Sequence, residues 1–357
     1  MNPAFADILA ADEETRAGLF SSTAGRMGTT AQNVEKDFWV CWTLDALFNG
    51  LSIGGPRLLF KGGTSLSKGF GLINRFSEDV DVTVFRQDIG EPTTIGELAA
   101  LSRKRRASRL DAIKQACQAY VTGPLLTDLR ALLADFLSAA GLDTKRGAVE
   151  IDETDADGQS LLLRYPTSTP QTAYVRSAVK IESGAKSALD PHAERSIKPY
   201  VDDDVPALDL TVARVTTVDP ERTFWDKVVI LHGLRSWYDI RGELRGGGQR
   251  VSRHYYDLHQ LHHATVGPKA ALDKALGSDC VAHARMFFNR PDFGLAGAEP
   301  GRFTLIPHDG MVDALRRDYG AMTSMIFGVP PAFETILASI RNLEVAVNSG
   351  VESQSTR

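Results

Sequence analysis

Two aspartates separated by a single valine stand in the segment DVDVTV, residues 79–84. Alternate residues of a β-strand point to opposite faces of a sheet, so Asp79, Asp81 and Thr83 share one face and three valines share the other. Two like charges about 6–7 Å apart along a strand raise each other's pKa when they are buried. The segment therefore predicts a strand with a packed valine face and an acidic face that needs water or a cation.

A hard divalent cation is the usual partner of such a carboxylate pair. Mg²⁺ binds one or two carboxylates together with substrate phosphates, and two-metal sites stabilise both the attacking and the leaving oxygen of a phosphoryl displacement. The alternative is an edge strand whose two aspartates are simply hydrated.

A glycine pair precedes these aspartates. The run PRLLFKGG predicts a strand that enters a turn, and TSLSKGFGLI opens a short helix. Glycines let backbone N–H groups approach a phosphate, and hydroxyl groups add donors. The turn is not a P-loop, because Ser67 stands where that motif requires glycine before the lysine; a tight turn without a ligand is the alternative. The candidate phosphate contacts are Lys61, Gly62, Gly63, Thr64, Ser65 and Lys68.

The rest of the chain predicts an α+β fold. Residues 1–50 have helical periodicity, a helical insertion follows at about 96–141, and the chain from Asp219 onward is mainly helical. We expect a small mixed β-sheet core with N-terminal helices at 1–218 and a helical C-terminal domain at 219–357. The later strand signals are AVEID, SLLLRYP, YVRSAVKIES and PALDLTVARVTTV.

Composition excludes several classes of protein. The chain has 357 residues, of which 43% are hydrophobic, so it can form a sizeable core, and its net charge of −5 gives no global basic field. Its three cysteines form no C-x-x-C motif, which favours buried thiols over a disulfide framework. The acidic N-terminus does not resemble a signal peptide, and no window of 18 residues is apolar. We therefore expect a cytoplasmic protein without a membrane partner.

The segment KGGTSLSKGFGLINRFSEDVDV resembles the signature of the AbiEii/AbiGii toxin family of nucleotidyltransferases, within the DNA polymerase β-like superfamily. The upstream segment VEKDFWVCWTLDALF resembles the N-terminal helix of that family. The resemblance spans most of the chain and is strongest over residues 33–84. It implies transfer of a nucleoside monophosphate from an NTP with release of pyrophosphate, and two Mg²⁺ ions as cofactors, with Mn²⁺ as the alternative ion.

The resemblance also implies a third metal-binding carboxylate on a later strand. Glu182 in VKIES matches the strand of the family best, so the implied metal ligands are Asp79, Asp81 and Glu182. The rival carboxylates are Glu150 in VEIDE and Asp209 in ALDLTV.

Two further residues of the implied site come from the C-terminal lobe. Lys227 in ERTFWDKVVILHGL matches a lysine that supports the triphosphate. Asp257 in RHYYDLHQL matches an aspartate that orients the lysine, contacts the nucleotide or assists in activating an acceptor. A lysine beside an apolar stripe can equally extend to water. Arg75, in the RFSEDVD segment, is a candidate for binding phosphate or for pairing with Glu78.

The resemblance implies that the chain is the toxin of a toxin–antitoxin or phage-abortive system. The implied acceptors of the transferred nucleotide are tRNA 3′ ends. An antitoxin encoded nearby is the expected partner, and whether it binds this chain stays open. The run SRKRRASR, residues 102–109, is either an RNA-backbone contact or a solvated helix face. The alternative functions are transfer onto a protein or small-molecule hydroxyl, and a non-catalytic nucleotide- or RNA-binding module.

Four histidines stand within ten residues of one predicted helix: His254, His259, His262 and His263. A zinc site is one interpretation of the i,i+4 pair. No H-E-x-x-H motif is present, so a polar helix face is favoured.

Overall fold

A computed structural model describes residues 1–170 and 177–350 of the chain. These residues divide into two compact units, which we call the sheet unit and the helical unit. The sheet unit holds Met1–Gly71 and Phe76–Val218, and the helical unit holds Leu72–Arg75 and the chain from Asp219 onward.

The sheet unit contains a seven-stranded mixed sheet with the order β3-β4-β5-β2-β1-β7-β6. Pairs β2–β5 and β1–β7 are parallel, whereas the other pairs are antiparallel. Together with the helices, this sheet confirms the predicted α+β class. The strands are β1 (Leu58–Lys61), β2 (Asp79–Val84), β3 (Ala148–Ile151), β4 (Ser160–Arg164), β5 (Ala178–Gly184), β6 (His192–Ile197) and β7 (Val212–Val218).

Strand β2 lies at the centre of this sheet, between β1 and β5. Val80, Val82 and Val84 are fully buried, while Asp79 and Asp81 are half-buried. The predicted alternation is therefore present, because β-branched side chains pack well on a pleated surface and the carboxylates keep partial access to water.

The helices of the sheet unit agree with the sequence pattern. The first 50 residues form three helices, and the predicted insertion at about 96–141 forms three more, which begin at Ile95 and end at Ala139. These six helices are α1 (Ala4–Ala10), α2 (Glu13–Met27), α3 (Ala31–Asp45), α5 (Ile95–Ala100), α6 (Arg103–Tyr120) and α7 (Leu126–Ala139), and the single turn α4 (Gly62–Thr64) lies between the two groups.

Helix α3 lies in the interior of the sheet unit, since almost every side chain on it is buried. It begins at the N-cap Thr30, whose hydroxyl accepts from the Asn33 N–H at 3.2 Å. Its Trp39 ring stacks on Tyr165, with ring centroids 5.1 Å apart. A helix buried on all sides must give each of its polar side chains a partner.

Two strand predictions differ from the structure. Strand β6 has no counterpart in the prediction, because it is an exposed edge strand whose sequence HAERSI has no apolar alternation. The predicted strand PALDLTVARVTTV begins only at Val212. The first three residues of the predicted strand YVRSAVKIES lie outside the described residues.

Up to residue 350, the helical unit contains six α-helices, and it includes a short segment from the N-terminal half of the chain. The Asn74 carbonyl accepts from the Phe327 N–H at 3.1 Å, and Arg75 forms an antiparallel bridge with Ile326. The helices are α8 (Pro220–Arg241), α9 (Ser252–His263), α10 (Val266–Leu272), α11 (Lys274–Phe287), α12 (Asp309–Met322) and α13 (Phe333–Asn348).

All three cysteines are buried free thiols. In the part of the chain that the structure describes, no helix combines the length and apolar character needed to cross a membrane.

Candidate active site

The glycine turn of the sheet unit lies directly against the aspartate strand. Gly62 has a φ of +82°, and a Cβ at this position would overlap the carboxylate of Asp81. Lys61, the last residue of β1, is the register partner of Asp81. Only glycine fits here, because it adopts this φ without strain and has no Cβ to collide with the Asp81 side chain.

Two buried hydroxyls hold the turn in place. The Thr64 hydroxyl donates to the Asp79 carbonyl and lies 2.8 Å from the Ser77 hydroxyl oxygen. The Ser65 hydroxyl donates to the Gly62 carbonyl at 2.9 Å. Both side chains are fully buried, so they fix the geometry of the turn and leave the backbone of Gly62 and Gly63 as its half-buried surface.

Glu182 lies on the strand beside the aspartates. Strand β5 is parallel to β2, and Glu182 is the register partner of Asp81, while Lys180 is the register partner of Asp79. Register partners in a sheet point to the same face, so the three predicted metal ligands share one face. The Lys180 ammonium lies 2.8 Å from Glu182 Oε1 and 3.3 Å from Asp152 Oδ2.

The two rival carboxylates lie elsewhere in the sheet unit. Glu150 is on β3, two strands further from β2 than β5 is, and it pairs with Arg164 at 2.9 Å. Asp209 lies in the loop before β7, where its carboxylate accepts from the Thr211 N–H at 3.1 Å. Of the three candidates, Glu182 alone is on a strand adjacent to β2.

The surroundings of Asp79 disfavour its charged form. Burial raises its pKa to about 6, and repulsion from Glu78, Glu182 and Asp81 adds to the rise, while Lys36 opposes it. Crowded carboxylates of this kind favour binding of a hard cation.

Within residues 1–170 and 177–350, no three His, Cys, Asp or Glu side chains are grouped closely enough to hold a metal ion. A Mg²⁺ site needs only one or two carboxylates when substrate phosphates supply further oxygens, so this donor set fits such an ion.

The helical unit brings together three other predicted residues. Asp257 on α9 is fully buried, and its carboxylate accepts from the Arg75 guanidinium at 2.8 and 3.0 Å. Lys227 on α8 donates to the same carboxylate at 2.8 Å and is also buried. Two cationic side chains thus share one carboxylate, and Arg75, predicted as a phosphate contact or a partner of Glu78, donates to Asp257.

The surroundings stabilise the charged form of Asp257 but destabilise the charged form of Lys227. Burial alone would raise the pKa of Asp257, but Arg75 and Lys227 hold it well below its ordinary value. Burial lowers the pKa of the Lys227 ammonium, and Arg75 and Arg253 lower it further, against the attraction of Asp257. An additional anion near Lys227 would therefore favour its charged form.

Comparison with known proteins identifies the family. Residues 45–339 match the family model described as nucleotidyl transferase AbiEii toxin of type IV toxin–antitoxin systems. The chain belongs to this family. It is accordingly a nucleotidyltransferase toxin, and its family implies an antitoxin partner and an NTP substrate. Nucleotidyltransferases of this kind generally use divalent metal ions.

Among solved structures, the chain is similar to MenT4, a nucleotidyltransferase toxin from Mycobacterium tuberculosis H37Rv. The two are 15% identical, with 93% of this chain and 89% of that chain covered and a TM-score of 0.48. No curated protein matches the chain.

The two lysines beside the AbiEii glycine turn have different surroundings. The Lys68 ammonium is buried, 2.8 Å from Asp37 Oδ1 and 3.7 Å from the centre of the Tyr200 ring. Among the described residues, Lys61 has no ion-pair partner, and its side chain is half-buried. Lys61 is therefore the better placed of the two to meet a phosphate, while the assignment of Lys68 stays a prediction.

The basic run of this AbiEii protein is at the start of α6. Arg103, Lys104 and Arg105 form the first turn and are exposed, whereas Arg106 and Arg109 are used to hold the preceding segment. Cations in the first turn oppose the helix dipole, which favours anions there. The structure gives the first three side chains no carboxylate partner within the described ranges.

The histidines of α9 do not form a zinc site among the described residues. The His259 and His263 rings are 4.5 Å apart, and His263 Nδ1 is 2.8 Å from the His259 carbonyl. Burial and the neighbouring histidines lower the pKa of His259 to about 4.

Sequence reasoning missed three charged residues that contact the candidate site of the sheet unit: Lys36, Asp37 and Lys180. Lys36 donates to Glu78 at 2.7 Å, one residue before Asp79. A usable signal was present, since the run EKD interrupts an otherwise apolar helix pattern in α3.

Proposed function

We propose that this AbiEii protein transfers a nucleoside monophosphate from an NTP to the 3′ end of a tRNA. The acceptor hydroxyl oxygen forms a bond to the α-phosphorus and releases its proton to solvent. The bond between that phosphorus and the bridging oxygen to the β-phosphorus breaks, and pyrophosphate leaves. Catalysis of this type depends on positioning and charge neutralisation.

The observation that carries the proposal is the contact between Gly62 and Asp81. A turn able to present backbone N–H groups to phosphate is packed onto a strand with two crowded carboxylates. A nucleotide held by this turn would have its phosphates next to these carboxylates.

Asp79, Asp81 and Glu182 would hold the divalent cations, Mg²⁺ in our proposal. Bound there, such ions would offset the negative charge of the triphosphate and of the departing pyrophosphate. Their shared face on adjacent strands supports this assignment, and so does the raised pKa of Asp79.

Lys61 and the backbone of Gly62 and Gly63 would bind the phosphates, with Thr64 and Ser65 fixing the turn. Lys227 would support the triphosphate charge. Lys227 and Arg75 both donate to the Asp257 carboxylate, so this cluster carries two positive charges and one negative charge. The excess positive charge supports this role, because it would attract a further anion.

The exposed first turn of α6 supports an RNA acceptor. Arg103, Lys104 and Arg105 carry three positive charges at a helix start that favours anions, which is a surface suited to a phosphate backbone. The run has no aromatic residue, so it suits backbone contact and not base stacking.

In the cell, we propose a cytoplasmic toxin that acts in abortive infection against phage. Adding nucleotides to the 3′ ends of tRNA would stop translation until an antitoxin opposes the toxin.

A labelling assay tests the proposal. The purified protein is incubated with each α-labelled NTP, Mg²⁺ and total tRNA, and label is followed on RNA, on protein and on small molecules. Asp81→Asn is the variant expected to be inactive. Glu150→Gln is the matched control, since Glu150 is a carboxylate of the same sheet outside the site.

We expect label on tRNA with the wild type and with Glu150→Gln, and none with Asp81→Asn. Label on protein or on a small molecule would replace the RNA acceptor, and nucleotide binding without transfer would overturn the catalytic assignment. Transfer that survives Asp81→Asn would overturn the metal assignment.

A further inference from the structure

Helix α3 carries three consecutive charged residues inside the sheet unit. Glu35, Lys36 and Asp37 are each no more than 2% exposed. Successive helical residues point about 100° apart, so the three side chains leave the helix in three directions. A buried charge is costly unless it is paired and hydrogen-bonded, so each of them needs a partner.

Lys36 meets the entry to strand β2. Its ammonium is 2.7 Å from Glu78 Oε2, and both side chains are largely buried. Glu78 is the residue immediately before Asp79, so this ion pair fixes the backbone that leads into the carboxylate strand.

Asp37 meets the other half of the candidate site. Its carboxylate accepts from the Lys68 ammonium at 3.1 Å and from the Tyr200 N–H at 2.7 Å. Lys68 belongs to the helical turns that follow Gly62 and Gly63, so this ion pair fixes the segment that forms the glycine turn.

Glu35 has a different destination. It accepts from the Ser168 N–H at 2.6 Å, from the Ser168 hydroxyl at 2.8 Å and from the Thr169 hydroxyl. These residues follow β4 and include none of the predicted site residues. The three charges are thus equally buried on one helix, but only two of them contact the segments that carry the site.

We propose that Lys36 and Asp37 are positioning residues of the transfer site. Lys36 acts through Glu78 on the strand of Asp79 and Asp81, and Asp37 acts through Lys68 on the glycine turn. Helix α3 thereby sets the separation between the carboxylates and the phosphate-binding turn. Both residues precede the part of the chain that the family model matches. This inference rests on the proposed nucleotidyl transfer.

The glycine turn and the aspartate strand must be held rigidly relative to each other. The Asp81 carboxylate packs directly against Gly62, because it occupies the space that a Cβ at residue 62 would need. A displacement of either segment by about 1 Å is enough to lower a rate about 100-fold. A buried ion pair at each segment resists such displacement, since breaking it would leave an uncompensated charge.

The test uses the full chain with Lys36→Met, Lys36→Arg and Asp37→Asn, and Glu35→Gln as the matched control. Transfer kinetics give kcat and KM, urea unfolding gives stability, and hydrogen exchange reports on residues 62–69 and 77–81. A double variant, Lys36→Met with Glu78→Gln, removes both charges of one pair and guards against simple misfolding.

We expect kcat to fall about 100-fold in Lys36→Met and Asp37→Asn, with faster exchange confined to residues 62–69 and 77–81. Lys36→Arg should recover much of the rate, and the double variant should recover stability without recovering kcat. Glu35→Gln should keep the wild-type kcat.

Two results would overturn the proposal: a wild-type kcat in folded Lys36→Met and Asp37→Asn, or an equal loss in Glu35→Gln. If the wild type transfers nothing, the proposed function fails, and hydrogen exchange alone decides the positioning role. Exchange that rises evenly over the sheet unit would then contradict it, and a rise confined to the two segments would support it.

Discussion

The Asp81 carboxylate occupies the space in which a Gly62 side chain would begin. This contact joins the turn proposed to bind phosphate to the strand proposed to bind metal. It makes Gly62 a residue whose replacement displaces the candidate site directly.

Gly62→Ala should lower kcat about 100-fold or more, because the new methyl group displaces Asp81. Gly71→Ala is the matched control, since Gly71 also has a positive φ, of +61°, but has open space around its Cβ position. Both variants should lose more than about 1 kcal/mol of stability from backbone strain. Equal activity in the two variants would show that the Asp81 contact is unimportant.

The third carboxylate is identified by comparing Glu182→Gln, Glu150→Gln and Asp209→Asn in the labelling assay. Glu182→Gln should reduce transfer at least about 100-fold, as loss of a charge that stabilises the transition state does. The other two should transfer normally, because neither residue is on a strand next to β2. Loss in Asp209→Asn with a normal Glu182→Gln would contradict the assignment.

Substitutions of Asp257 and of Lys227 should affect the free energy of unfolding and the transfer activity differently. Asp257→Ala leaves Arg75 and Lys227 as buried cations without their shared carboxylate, so unfolding in urea should show a loss of about 3–5 kcal/mol. Lys227→Met keeps the two hydrogen bonds between Arg75 and Asp257, so stability should change little while transfer is lost. A stable, fully active Lys227→Met would remove Lys227 from the site.

Stability should fall as the pH drops below the ordinary histidine range. The folded-state pKa of His259 is lowered from 6.5 to about 4. Between these values the unfolded chain binds a proton at His259 that the folded chain does not bind, so His259 lowers stability as the pH falls through this window. One such group contributes at most about 1.4 kcal/mol per pH unit.

The measurement is urea unfolding of the wild type and of His259→Gln from pH 8 to pH 4. The two stability curves should be parallel above pH 7, and the wild type should fall more steeply below pH 6.5. Parallel curves over the whole range would contradict the lowered pKa.

The α6 surface should control the salt dependence of tRNA binding. Replacing Arg103, Lys104 and Arg105 by alanine should weaken binding and reduce the slope of log K against log salt by about two. Lys269→Ala, on the exposed surface of the helical unit, is the control and should leave the slope unchanged. An unchanged slope in the triple variant would place the RNA elsewhere.

Much of the local structure could be predicted because its causes are local. The alternation of aspartate and valine in β2, the return of helical periodicity from Asp219 onward and the helical insertion all depend on residues within a few positions of one another. The edge strand β6 could not be predicted in this way, because an exposed edge strand needs no apolar face.

The partners of the buried charges could not be predicted. The place of Lys68 beside the glycines predicts a phosphate contact, and only the structure shows its ion pair with Asp37, 31 residues away. The sequence suggests phosphate or the nearby Glu78 as a partner of Arg75, and only the structure shows that Arg75 donates to Asp257, 182 residues away.

The sequence by itself determined the carboxylate strand, the glycine turn before it and the family to which both belong, because these signals are contiguous. Only the tertiary structure decided that Glu182 is beside Asp81, that Leu72–Arg75 joins the helical unit, and that α3 holds both halves of the candidate site. The physical reason is that a buried charge takes whichever opposite charge the packing of distant elements brings within reach, and that packing is decided by the whole fold.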